Sequence, residues 1–103
     1  MENEFDTNWR ARLILQVSLL NMITPNIRGV ACCMENKLLR IFYVFDGAIS
    51  ERDVENYDQV EGLAISHCPD GYDVRTDAIS LKAEEKRACK GNYEWIYLRQ
   101  EAF

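Results

Sequence analysis

The sequence holds one histidine and two prolines, and no apolar run approaches the roughly 18 residues that a membrane-spanning helix requires. Its five glycines, Gly29, Gly47, Gly62, Gly71 and Gly91, are scattered, which excludes a glycine-rich phosphate loop. Neither a GxSxG elbow nor an HExxH helix is present. The cysteines, Cys32, Cys33, Cys68 and Cys89, lack the CxxC spacing of a zinc site. Being adjacent, Cys32 and Cys33 point to opposite faces of any strand. The only histidine, His67, precedes Cys68 at a predicted helix end, where neighbours in sequence do not face each other, so a Cys–His nucleophile is poorly supported. Basic residues are also short, 12 against 17 acids, for a net charge of −5. That balance argues against binding nucleic-acid phosphates or anionic membranes. The acidic start, Met1-Glu2-Asn3-Glu4, is the opposite of a signal peptide, so a cytoplasmic protein with reduced thiols is expected. No metal, cofactor or catalytic set is predicted.

What is present suits one globular domain over residues 1–103, with 48% hydrophobic residues and 28% charged. Asp6 or Thr7 can cap a first helix reaching about Met22, in which Trp9, Leu13, Ile14, Val17 and Leu20 make one apolar stripe. Thr24-Pro25-Asn26 ends it. Two strand-like runs, Ile27–Met34 and Lys37–Phe45, flank a hairpin turn at Glu35-Asn36. The second run is apolar on both faces, as a central strand would be. Ser50 with Asp53 resembles a capping box opening a second helix, Glu51–His67, which Cys68-Pro69-Asp70-Gly71 stops. Tyr72–Leu81 reads as a third strand, Lys82–Asn92 as a loop, and Tyr93–Leu98 as a fourth strand with alternating aromatic residues that cover a sheet face. The predicted fold is therefore α+β, in the order α-β-β-α-β-β, with two helices on one face of a four-stranded, mostly antiparallel sheet.

Charge is distributed unevenly. Residues 1–45 and 82–103 each carry five bases and four acids, whereas residues 46–81 carry nine acids against two bases, a net −7. On a helical wheel Glu55 falls opposite the apolar arc of the second helix, with Asp58 at its margin. Glu61 lies inside that arc, next to Gly62, and reads as an anchor or a partner contact. With Asp70, Asp73 and Asp77 these residues form a candidate partner-binding surface. Such a surface attracts a basic partner and speeds its association.

The strings Ile23-Thr24-Pro25-Asn26-Ile27-Arg28-Gly29-Val30, Phe45-Asp46-Gly47, Ile49-Ser50-Glu51-Arg52-Asp53 and Trp95-Ile96-Tyr97-Leu98-Arg99-Gln100-Glu101, in this order of segments, resemble small bacterial immunity proteins of contact-dependent growth-inhibition and other polymorphic toxin systems. The resemblance implies a cytosolic, non-enzymatic protein that binds one cognate toxin domain and blocks it. It assigns no contact residue. The expectation is an immunity protein whose acidic surface covers a basic, nucleic-acid-handling site. The alternative is a self-associating structural or regulatory domain, a homodimer through the sheet face bearing Tyr43 or Trp95, with the acids only solubilising.

Overall fold

A computed structural model describes residues 4–89 and 91–101, with side chains from residue 9 onward. The elements follow the expected order: α1 (Glu4–Ser18), β1 (Ile27–Glu35), β2 (Leu38–Phe45), α2 (Glu51–Ser66), β3 (Asp73–Ser80) and β4 (Glu94–Leu98). The strands lie side by side as β3-β2-β1-β4. The expectation of a mostly antiparallel sheet needs correction, because the sheet is mixed. β1 runs antiparallel to β2 and to β4, but β3 runs parallel to β2. The cause is α2, a crossover long enough to return the chain to the end where β2 began.

The hairpin turn falls one residue later than predicted, at Asn36-Lys37. Both residues have positive φ (51° and 61°), the pattern of a type I′ turn that matches strand twist. Along β2, Leu39, Ile41, Tyr43 and Phe45 face the helices and meet Val30, Cys32 and Met34 of β1 in one core, completed by Ala11 and Leu15 of α1, Leu19 just after it, and Val60 and Ala64 of α2. Tyr43 is fully buried, which removes it as the exposed dimer face suggested by the sequence.

Except at Ile14, which packs against the core, the apolar stripe expected for α1 is also corrected. Its buried residues are Ala11, Leu15, Ser18 and Leu19, while Trp9, Leu13, Val17 and Leu20 are 41–70% exposed. Every face of this helix is rich in apolar residues, so the spacing alone could not tell which one the sheet would cover. The helix stops at Ser18, whose hydroxyl donates to the Ile14 carbonyl, and Asn21 takes a positive φ of 64°. α1 begins at Glu4, so the predicted cap at Asp6 or Thr7 is corrected: both residues lie within the helix.

Because β3 and β4 form opposite edges of the sheet, the segment between them must cross the face away from the helices. Residues 81–89 and 91–93 do so, over Phe42 of β2. A register shift between Val30 and Ala31 splits the aromatic stripe of β4. Tyr97 packs on the core, whereas Trp95 lies against Gly29, where an added Cβ would come within 2.7 Å of the indole.

Candidate functional site

The predicted acidic residues fall on two sides of the β3 edge. α2 starts with a complete capping box: Ser50 Oγ accepts from the Asp53 N–H, and Asp53 Oδ2 accepts from the Ser50 N–H. Asp53 also accepts from Asn26 Nδ2 at 3.0 Å, which fixes the helix start to the segment before β1. This anchoring turns Glu55 and Asp58 outward, where both are exposed. Glu61 is half-buried and accepts a hydrogen bond from Thr76 Oγ1 at 3.2 Å, tying α2 to β3. Asp70 is exposed in the turn before β3. Asp73 and Asp77 alternate with buried Val74 and therefore point to the sheet face away from the helices. The structure thus joins Glu61 to β3, groups Glu55 and Asp58 on α2, and sets Asp73 and Asp77 around the edge from them.

Ion pairing leaves these acids uncompensated. Among the described residues, of the nine acids in 46–81 only Asp46 enters an ion pair, with Arg99 at 3.1 Å. Several bases are meanwhile consumed internally. Arg28 is fully buried beside the irregularity that begins β1, and its guanidinium donates to Glu101 and to the carbonyls of Leu81, Lys82, Ala83 and Glu85. Arg87 and Arg99 close on the same Glu101 carboxylate, at 3.4 and 2.9 Å. The hydrogen bond from Arg28, first among several contributions, holds the Glu101 carboxyl at about 2, well below its ordinary range. Sequence reasoning assigned Arg28 and Glu101 no role, since their partners are backbone carbonyls and each other, far apart in the chain. The only signal was that both lie in the strings carrying the family resemblance.

The groups a catalyst would need are dispersed. Cys32 and Cys33 are buried, Cys68 and Cys89 half-buried, and burial pushes all four thiols up, Cys32 to about 12. Their nucleophilic thiolate forms are thereby disfavoured. His67 is the exposed C-cap of α2. No metal-binding cluster of His, Cys, Asp or Glu occurs among the described residues, and none of their helices is long and apolar enough to cross a membrane. Two clefts flank the 81–93 crossing. One, of about 470 Å3, is lined by Glu84, Lys86, Arg87, Trp95 and Leu98. The other, of about 500 Å3, lies between Phe42, Asp77, Ala78, Ile79, Ala88, Cys89 and Tyr93.

No match was found among curated proteins. Residues 9–101 match the family model of the MafI2 immunity protein, a span that includes both helices' cores, all four strands and the Arg28–Glu101 contact. The chain belongs to the MafI2 immunity protein family.

Proposed function

We propose that the chain is a non-enzymatic, cytoplasmic immunity protein that neutralises a cognate toxin domain through the acidic surface of Glu55, Asp58, Glu61, Asp70, Asp73 and Asp77. Family membership supports a toxin partner in general terms. The observation that carries the acidic placement is the absence of ion pairs from eight of the nine acids in 46–81 among the described residues, while Arg28, Arg87 and Arg99 are turned inward on Glu101. The solvent-facing charge around the α2–β3 edge is therefore net negative even with Arg52 and Arg75 exposed there, and it suits a basic site that handles nucleic acid, with carboxylates standing where phosphates would bind. Titration calorimetry against the toxin domain tests it. Charge reversal at Glu55 and Asp58 weakens binding, and salt weakens the wild-type complex. Unchanged affinity of the reversed variant at low salt overturns this placement of the interface.

A second reading is self-association, favoured by the exposed Trp9, Leu13 and Val17 of α1 and Leu20 just beyond it, since contiguous apolar surface marks interaction sites. A mass that rises with concentration in light scattering, and that Leu13→Lys abolishes, supports it. A monomer at all concentrations removes it.

A further inference from the structure

The cleft of about 500 Å3 beside the 81–93 crossing combines three features that select one ligand chemistry. Phe42 and Tyr93 stand with ring centroids 6.3 Å apart and planes at 78°, so they form a corner rather than a stack. Asp77 pairs with Phe42 in the β2–β3 register and also lines the cleft. It is exposed and makes no ion pair among the described residues. Aromatic faces attract cations through their quadrupole, and a carboxylate at the same mouth adds a charge-assisted hydrogen bond. An anion would meet Asp77, and a purely apolar group would leave that charge unpaired against it.

We infer that this cleft receives one lysine or arginine side chain of the protein partner, seated between the Phe42 and Tyr93 rings and the Asp77 carboxylate. The inference rests on the reading of a basic protein partner and assigns to it a specific anchoring contact. Two residues along the same strands, Arg40 lies opposite Arg75, both exposed. Asp73 follows two residues further along the same face, so the Arg40–Arg75 pair stands between Asp73 and the Asp77 cleft. Buried, water-excluded anchors of this kind, filled by aromatic and arginine contacts, dominate protein interfaces.

The test is a two-dimensional amide NMR titration of the whole chain with N-acetyl-arginine amide, N-acetyl-lysine amide and the neutral isostere N-acetyl-citrulline amide. Both cations are expected to give saturable shifts centred on Phe42, Asp77 and Tyr93, and citrulline none. Asp77→Asn and Tyr93→Leu each weaken the cation response at least tenfold, with unchanged melting of Asp77→Asn showing that the fold is intact. Equal response to citrulline, shifts centred instead on Glu55 and Asp58, or no saturation overturns the inference. Affinity of the same variants for the toxin domain separates the two readings. Toxin binding that depends on Glu55 and Asp58 but is indifferent to Asp77→Asn keeps the acidic interface and discards the cleft. Saturable cation binding in a chain that binds no toxin keeps the cleft and discards the toxin reading.

Discussion

Arg28 and Glu101 lie 73 positions apart in the chain and meet in a two-point ion pair, Nε to Oε2 and Nη2 to Oε1, both at 2.9 Å. The same guanidinium holds four carbonyls of the segment that crosses the sheet. One side chain therefore fastens three parts of the molecule: the start of β1, the 81–93 crossing and the chain after β4. Replacing Arg28 with Met strands those carbonyls and leaves Glu101 with Arg87 and Arg99 alone. Breaking one partner of a buried pair costs about 3–5 kcal/mol, so urea unfolding of Arg28→Met is expected to show a loss of that size. Lysine at the same position keeps the charge but not the planar fork, and falls between the two.

The Glu101 carboxyl also sets a pH dependence. Its folded value of about 2 lies below the ordinary 4.5, owing first to the hydrogen bond from Arg28, then to Arg99 and the nearby Arg87 charge, against opposing desolvation. A group depressed on folding contributes stability that is complete above its unfolded value and is lost as pH falls through its folded one. Asp53 is lowered too. Burial, its largest single influence, raises it, but hydrogen bonds from the Ser50 backbone, Asn26 and the Ser50 hydroxyl together prevail. Urea midpoints measured from pH 6 to pH 2 are expected to fall in the window between 4.5 and 2. Glu101→Gln flattens that decline. An identical slope in the variant contradicts the assignment.

Tyr43 contributes stacking without using its hydroxyl. Its ring lies parallel to Phe45 at 5.6 Å and against Tyr57 at 5.6 Å, yet its buried OH has no hydrogen-bond partner among the described residues. A stranded buried hydroxyl costs about 1–3 kcal/mol. Tyr43→Phe keeps the ring and removes that cost, so its urea midpoint is expected to rise by the equivalent of about 1 kcal/mol. A drop in stability instead points to a partner for the hydroxyl.

How far the sequence discloses this molecule depends on the range of each contact. The start of α2 was legible because Ser50 and Asp53 sit three residues apart and satisfy each other. The β1–β2 hairpin was legible to within one residue for the same local reason. The direction of β3 was not, since alternation of Val74, Thr76 and Ala78 reads identically in parallel and antiparallel pairing. The acidic segment was visible as composition, but the division of Glu55 and Asp58 from Asp73 and Asp77 follows from which face of β3 meets α2. The cleft at Phe42, Asp77 and Tyr93 was invisible, because its walls come from two strands and a crossing whose course is set by Arg28.

The sharpest contrast between sequence pattern and structure is on α1, where Leu13 and Leu15 are two residues apart and have opposite environments. Leu13 is 41% exposed and Leu15 fully buried against the core. Periodicity could not rank them, because Trp9, Leu13, Val17 and Leu20 repeat on one face as regularly as Ala11, Leu15 and Leu19 do on another. Packing decides the matter, with measurable consequences. Leu15→Ala removes buried methyl groups and leaves a cavity, with an expected cost of about 2–5 kcal/mol. Leu13→Ala, changing a partly exposed side chain, is expected to cost less than about 1 kcal/mol. Urea unfolding of both variants decides between the two faces. Equal losses place Leu13 in a contact beyond those among the described residues, and dilution tells whether a second copy of the chain supplies it. A large loss at Leu13 that fades as the protein is diluted therefore identifies α1 as a dimer seam, and a small loss at every concentration leaves its outer face to solvent or to another partner.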